Sequence, residues 1–149
     1  MKRLLLAAVA VSVLAVSSAS AQTMRIGLRE DPDILDPTLA RTYVGRIVFA
    51  SLCDKLFDID KDLNIVPQLA TGFRWDDGRT LTITLREGVK FHDGETMDAN
   101  AVAYSLNRHL TMQGSFRRGE INAMDRVEVV DPKTVRIHLK VPFAPFLAQ

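Results

Sequence analysis

The sequence predicts an α+β fold, because segments with the periodicity of helices and of strands follow one another along the chain. Two segments carry apolar side chains three or four positions apart, which predicts helices at about residues 44–57 and 98–110. Two others alternate apolar and polar residues, which predicts half-buried strands at residues 80–86 and 135–139. Asp-Gly and Asp-Pro dipeptides mark turns. We therefore expect hairpins and two principal helices around one modest core.

The N-terminus has the organisation of a secretory signal peptide. A basic start precedes an apolar run, residues 4–16, and small residues that end at Ala21. The run is shorter than the roughly 20 apolar residues that span a bilayer. We therefore expect residues 1–21 to be a cleaved signal peptide and residues 22–149 to be the mature, soluble part. Gln22 rather than a cysteine follows the predicted site, so we expect no lipid anchor.

Charge and cysteine content exclude several functional classes. Loss of residues 1–21 removes Lys2 and Arg3 and changes the formal net charge from +1 to −1. A nearly neutral chain has no electrostatic footprint for nucleic acid or anionic lipid, so we expect neither as a partner. Cys53 is the single cysteine, which excludes a disulfide framework within the chain. It lies in an apolar helical pattern, and we expect it to be a small buried side chain.

The first mature residues predict a short strand, a loop and a helix. Residues 24–28 alternate sufficiently for a strand. Residues 29–42 contain Asp-Pro twice, which disfavours a helix, and loops of this length are often functional. From Val44, apolar side chains recur on one face of a helix that we expect to end near Phe57. These side chains are Ile47, Val48, Leu52 and Leu56.

The middle of the chain predicts hairpins. Residues 56–59 and 64–66 are expected to pair around Lys61. Residues 73–75 and 80–86 predict two strands on either side of an Asp-Gly turn. In the second strand the apolar residues share one face and the threonines share the other. The apolar residues are Leu81, Ile83 and Leu85.

A helix and a second hairpin follow. Asp98 precedes the helix, where a carboxylate suits the positive end of the helix dipole. Residues 127–130 and 135–139 predict strands around a turn. Residues 143–149 look like the start of a helix, and an apolar stretch usually has a partner, so we expect the sequence to be truncated. The buried stripe of the complete helix is Val102, Ala103, Leu106 and Leu110.

One acidic pattern suggests a calcium site, but it is incomplete. Asp58, Asp60 and Asp62 are spaced like the first ligands of a calcium loop. Leu63 and Leu69 then stand where that loop needs a glycine and a bidentate glutamate. We therefore expect a solvated hairpin turn and no metal site.

The histidines do not form a recognisable catalytic group. His92 and Asp93 could be a base and its orienting carboxylate. Asp93, however, suits a turn with Gly94, and no nucleophile motif accompanies the pair. His109 lies near the end of a helix, where a cation is favourable in any case. We therefore expect no catalytic residue.

Aromatic side chains fall into two groups. Phe73, Trp75 and Phe91 lie around the strand segments, where core burial is the more common role. Phe116 lies in a polar, glycine-bearing stretch, residues 113–118. An exposed ring flanked by cations there could stack on a ligand or could simply pack on the surface.

Three stretches of the sequence carry a family pattern. They are LATGFRW at residues 69–75, LTITLREGVKFHDG at residues 81–94 and NAVAYSL at residues 100–106. Together they closely resemble the dipeptide-, oligopeptide- and nickel-binding receptors, which are family 5 of the bacterial extracellular solute-binding proteins. The family pattern has two acidic residues at the start of its helix, where this chain has only Asp98.

The resemblance implies a two-lobed periplasmic binding protein of the type II or cluster C-like class, several times longer than this chain. The chain would supply the first strand of one lobe and the small accessory domain that follows it, with the second lobe absent. The implied function is capture of a peptide-like solute and its delivery to the membrane permease of an ABC importer. We also expect a monomer without enzymatic activity or cofactor.

The resemblance also points to ligand-binding residues. In relatives, the loop after the Asp-Pro pair and the aromatic region after the second helix approach the cleft. The matching residues here are Thr42, Tyr43, Gly45 and Phe116. Tyr43 could instead staple the helix start, and Gly45 could relieve crowding. Two other functions stay open: a receptor for a nickel chelate, an opine or a sugar, and a secreted hydrolase that uses His92 or its neighbour.

Overall fold

The computed structural model describes residues 23–148. The predicted signal peptide, residues 1–21, lies outside the described residues. Within residues 23–148, no helix is long and apolar enough to cross a membrane. The elements, in chain order, are helix α1 (Tyr43–Leu52), strands β1 (Phe57–Ile59), β2 (Ile65–Pro67), β3 (Ala70–Trp75) and β4 (Thr80–Leu85), helix α2 (Ala99–Thr111), strands β5 (Met124–Asp131) and β6 (Thr134–Leu139), and a 3₁₀ helix (Ala144–Ala148).

Four strands form an antiparallel sheet in the order β3-β4-β6-β5, and β1 pairs with β2 in a separate hairpin. The central strands β4 and β6 alternate between buried and more exposed side chains along their length. One face of the sheet is therefore apolar and the other is polar, as the alternation predicts. The buried side chains are Leu81, Ile83 and Leu85 of β4 and Val135, Ile137 and Leu139 of β6.

Helix α2 covers the apolar face, which confirms the second predicted helix. It begins after Asp98, whose carboxylate accepts the Ala101 N–H at 2.9 Å and so caps the helix. Val102 lies in the core, and Leu106 packs against it. The buried Phe146 of the 3₁₀ helix also joins this core.

Helix α1 ends at Leu52, so the prediction that it continues to about Phe57 is wrong. Cys53 is already extended, with φ −131° and ψ 134°. Beyond it, the Leu69 N–H donates to the Lys55 carbonyl at 2.9 Å. This long-range hydrogen bond uses backbone that a continued helix would need for its own ladder.

The predicted buried face of α1 is largely uncovered in the described part of the chain. Ile47 and Leu52 are exposed, whereas Val44 and Gly45 are buried. Cys53 is exposed as well, so the expectation of a buried thiol is wrong. Periodicity shows which side chains share a face, but it does not show whether another element covers that face.

Three further expectations need correction. Residues 24–28 form no strand, because no segment among residues 23–148 pairs with them. Phe73 and Phe91 are exposed rather than in the core, while Trp75 does pack against it. The Phe73 ring meets the Phe57 ring edge-on with the centroids 5.4 Å apart, which places this pair at the rim of the core.

Candidate functional site

The loop before α1 is organised around Asp33. Its carboxylate accepts hydrogen bonds from the Arg41 N–H at 3.0 Å and from the Thr42 hydroxyl at 3.1 Å. The Arg41 N–H is the main reason that the pKa of Asp33 lies below its usual value. The Thr42 oxygen accepts the Gly45 N–H at 3.0 Å and caps α1. We call residues 40–45 the cap loop.

Tyr43 and Gly45 differ strongly in exposure. Tyr43 is 77% exposed and presents its ring to solvent, whereas Gly45 is buried. A Cβ atom at Gly45 would lie 3.2 Å from Thr42 Oγ1 and 3.4 Å from Asp33 Oδ1. The missing side chain therefore lets the capping hydroxyl and carboxylate approach this closely. Ligand contact by either residue stays a prediction.

Phe116 contacts the cap loop through Arg41, a residue that the sequence analysis did not single out. The Arg41 guanidinium stacks over the Phe116 ring with 5.3 Å between Cζ and the ring centroid. The Phe116 N–H donates to the Thr38 carbonyl at 3.0 Å. The structure thus brings two predicted site segments together. Arg41 could not be distinguished from other surface cations, since its contact depends on the tertiary fold.

A half-buried ion pair joins the segment before the cap loop to α2. Arg108 donates two hydrogen bonds to Asp36, to Oδ1 at 3.0 Å and to Oδ2 at 2.5 Å. The hydrogen bonds from Arg108 are the main reason that the pKa of Asp36 is lowered to about 2. This bidentate geometry fixes the orientation of both side chains. The two residues are 72 positions apart, so no local pattern reveals the pair.

Thr38 lies between Arg108 and His109 and is fully buried. Its hydroxyl accepts a short hydrogen bond from Arg108 Nη1 and lies 2.9 Å from His109 Nδ1. Burial, followed by the charges of Arg108 and Arg117, lowers the pKa of His109. The sequence suggested that a cation at this position is favourable, but the lowered pKa favours the neutral imidazole.

A second arginine holds the cap loop from the segment after α2. Arg117 donates to the Ala40 carbonyl at 3.2 Å and pairs with Glu120 at 2.9 Å. Glu120 also pairs with Arg46 of α1 at 3.4 Å. The cap loop is therefore tied to residues 116–120 by hydrogen bonds at its start and by an ion pair just after its end.

A shallow concavity of about 630 Å³ lies beside Arg108. Phe91 and Tyr104 line it with exposed rings, and Asn100 and Ser105 add polar groups. Arg108 is the only charged residue in its lining, and its guanidinium is already bound to Asp36. The lining of the concavity therefore offers no unpaired charged side chain that could select an ionic ligand.

In the β1–β2 hairpin, the carboxylates of Asp58 and Asp60 bond to groups of nearby residues. Asp60 accepts the N–H groups of Asp62 and Asn64 at 2.9 and 2.8 Å, and Asp58 pairs with Lys55 at 2.6 Å. The predicted hairpin turn is thus confirmed. Among residues 23–148, no group of three or more His, Cys, Asp or Glu side chains is placed to hold a metal ion.

The pair at positions 92 and 93 does not form a base with an orienting acid. Asp93 Oδ1 accepts the Glu95 N–H at 3.0 Å, which is the predicted turn role. His92 is exposed to solvent. Within the described residues, the Asp93 carboxylate is thus bonded to the turn and not to the His92 ring.

Comparison with known proteins gives a consistent family match. The profile described as bacterial extracellular solute-binding proteins, family 5 Middle, matches residues 64–149. Glutathione-binding protein GsiB of Salmonella paratyphi A (strain ATCC 9150 / SARB42) is 38% identical over 138 residues, which is 91% of this chain and 27% of that protein. The chain therefore spans about a quarter of the length of this relative.

Solved structures with the same fold include two receptors for different solutes. The murein tripeptide-binding protein MppA of Escherichia coli is 26% identical with a TM-score of 0.74, over 80% of this chain and 27% of that one. AgaA of Agrobacterium tumefaciens R10, solved with agropinic acid, is 31% identical with a TM-score of 0.72, over 78% and 24% of the two chains.

Proposed function

The chain belongs to family 5 of the bacterial extracellular solute-binding proteins, and from this membership we propose that it is part of a receptor that captures a peptide-like solute for an ABC importer. The observation that carries this proposal is the 38% identity to a glutathione-binding protein over 91% of the chain. Glutathione is a tripeptide, and MppA is named for another tripeptide. Relatives of this chain thus include receptors for short peptides.

We also propose that residues 22–149 form the N-terminal part of a two-lobed receptor. The relatives are about four times as long as the matched region, which supports the view that the chain is part of a larger receptor. Closure of two lobes desolvates a ligand and completes its contacts. The receptor would act as a monomer that docks on the membrane permease of the importer.

Thr42, Tyr43, Gly45 and Phe116 are the proposed ligand-facing residues, and the geometry supports an added role for Arg41. Its side chain is 66% exposed, and its guanidinium is stacked on Phe116 and lies 3.8 Å from the Asp33 carboxylate. A guanidinium held in this way can donate charge-assisted hydrogen bonds to a carboxylate, which every peptide carries at its C-terminus. Tyr43 adds an exposed ring and hydroxyl beside it in sequence.

A thermal-shift panel on the full-length receptor tests the ligand class. Glutathione and di- to pentapeptides should raise the melting temperature, because a ligand that binds only the folded state adds about 2.7 kcal/mol at 100 times its dissociation constant. Agropinic acid, a nickel–histidine chelate and a sugar are the comparison ligands. Shifts with one of these and none with peptides would contradict the peptide assignment.

Two tyrosine variants test the proposed site in the same panel. Tyr43→Ala should weaken peptide binding, because it removes a proposed ligand contact. Tyr104→Ala is the matched control, since Tyr104 is 71% exposed on α2 and is not a proposed ligand residue. Wild-type affinity in Tyr43→Ala would remove Tyr43 from the site.

An opine is the second candidate ligand. AgaA, solved with agropinic acid, is 31% identical to this chain with a TM-score of 0.72. An opine also carries carboxylates that Arg41 could bind, so this region alone does not separate the two classes. The ligand panel separates them directly.

We propose export to the periplasm with removal of residues 1–21 and no lipid anchor. Small residues at positions 19 and 21 suit the signal peptidase. N-terminal sequencing of periplasmic protein from a Gram-negative host should begin at Gln22. A start at Met1, or a membrane-bound product, would contradict this.

We propose a binding role without catalysis. His92 is exposed and Asp93 is engaged in a turn, which supports a receptor rather than a hydrolase. His92→Ala should leave ligand affinity unchanged. Loss of a hydrolytic activity in that variant would favour the hydrolase instead.

A further inference from the structure

We propose that Thr38, held by Arg108 and His109, is a positioning residue that sets the cap loop and Phe116 relative to each other. The inference rests on the function proposed above, in which both segments face the ligand. Thr38 itself is fully buried, so it acts on the ligand only through its neighbours.

The hydroxyl of Thr38 contacts two side chains of α2, those of Arg108 and His109. Arg108 Nη1 donates to it, so its single proton is free to go to His109 Nδ1 at 2.9 Å. Both partners belong to α2, whose packing on the sheet makes them a fixed reference.

The backbone of Thr38 connects this reference to the proposed site. Its N–H donates to Asp36 Oδ1 at 2.9 Å, and its carbonyl accepts the Phe116 N–H at 3.0 Å. Two residues later, the Ala40 N–H donates to the Asp36 carbonyl at 2.9 Å at the start of the cap loop. Thr38 is thus bonded directly to the Phe116 segment and, through Asp36, is connected to the start of the cap loop.

Valine at position 38 removes the hydroxyl while keeping the branched shape. In Thr38→Val, Arg108 and His109 lose a buried partner, so we expect the amide of Phe116 to exchange with solvent about 5- to 50-fold faster. The Ile83 amide of β4 reports global opening and should change much less. Thr38→Ser keeps the hydroxyl and should restore slow exchange at Phe116.

A matched control and a second variant separate positioning from folding. Thr111→Val also removes a threonine hydroxyl bond from α2, that to the Asn107 carbonyl at 2.7 Å, and should leave the Phe116 amide unchanged. If Thr38→Val does not fold, His109→Leu is the second variant, because it removes the imidazole that Thr38 contacts and keeps the bond from Arg108. Loss of this contact should raise exchange at Phe116 more than at Ile83, as in Thr38→Val.

Ligand affinity is then measured on the full-length receptor with glutathione as the probe. Thr38→Val should bind about 5- to 50-fold more weakly, while Thr38→Ser and Thr111→Val should match the wild type. Unchanged exchange at Phe116, or an equal rise at Phe116 and Ile83, would overturn the positioning role.

The amide-exchange and affinity measurements also separate this inference from the proposed function. If glutathione and the other peptides do not bind the wild type, the peptide assignment fails, while amide exchange still decides whether Thr38 positions the two segments. If they bind and Thr38→Val exchanges faster at Phe116 without losing affinity, Thr38 positions the two segments but these segments do not contact the ligand, and the assignment of the ligand-facing residues is wrong.

Discussion

At the scale of single residues, Thr42 combines a structural role with a proposed ligand contact. Its oxygen caps α1 by accepting the Gly45 N–H, and its hydroxyl donates to Asp33. Thr42→Ala should lower the free energy of unfolding by about 1 kcal/mol through loss of the cap. Urea denaturation measures this change. Thr42→Ser keeps the capping oxygen and should stay close to the wild type, and equal losses in both variants would contradict the capping role.

His109 makes the free energy of unfolding depend on pH. Burial and the charges of Arg108 and Arg117 lower its pKa, while Asp36 and Glu120 oppose this. The unfolded chain therefore takes up a proton on His109 before the folded chain does, starting near pH 6.5. The stability that His109 contributes is present above that pH and is lost as the pH falls through its folded pKa.

Denaturation at pH 7 and at pH 5 tests this sign. The free energy of unfolding should fall more in the wild type than in His109→Asn, which keeps a polar group near the Nδ1 position and does not titrate. Asp36 stays ionised in this range because its pKa is about 2. An identical pH dependence in the two proteins would show that His109 does not carry the effect.

At the scale of elements, burial depends on a strand's place in the sheet as well as on alternation, and two valines paired across the central strand β6 and the edge strand β5 measure this. Val135 of β6 is fully buried, and its cross-strand partner Val129 of β5 is 39% exposed. Val135→Ala should lower the free energy of unfolding by about 1.5–3 kcal/mol, because it removes buried methyl groups and leaves a cavity. Val129→Ala should cost clearly less. Equal losses in denaturant titrations would contradict the deeper burial of the central strand.

The two helices have similar apolar stripes, but only the stripe of α2 is covered by the sheet. The predicted stripe of α2 lies on the sheet, and Asp98 caps the helix as its sequence position suggests. Helix α1 has an equally regular stripe, yet it stops at Leu52 and leaves Ile47 exposed. Its end is set by hydrogen bonds between residues 55–56 and 68–70, which helical periodicity does not contain.

At the scale of the whole molecule, the segment before α1 is attached to α2 by the ion pair of Asp36 and Arg108. Arg108→Gln should loosen this attachment, because Asp36 then loses both charge-assisted hydrogen bonds. Limited trypsin digestion should cut after Arg41 faster in the variant than in the wild type.

Arg29 is the internal control for that digestion. It is exposed and lies before the attached segment, so cleavage after it should proceed at the same rate in both proteins. Equal acceleration at both sites would indicate general unfolding, and no acceleration after Arg41 would show that the ion pair does not hold the loop.

The sequence by itself determined the elements whose signal is local. Alternation fixed the buried faces of β4 and β6, Asp-Gly and Asp-Pro dipeptides marked turns, and family motifs identified the receptor class. Such patterns arise from neighbours a few residues apart, so they are visible without a fold.

Only the tertiary structure decided the order of the strands, the end of α1 and the contacts around the proposed site. Thr38 meets His109 across 71 positions and Arg108 across 70. Arg41 reaches Phe116 only because the segments that carry them are held together by Asp36, Arg108 and Arg117. Contacts of this kind depend on which surfaces are brought together when the chain folds. They cannot be read from a residue's type or from its near neighbours in the sequence.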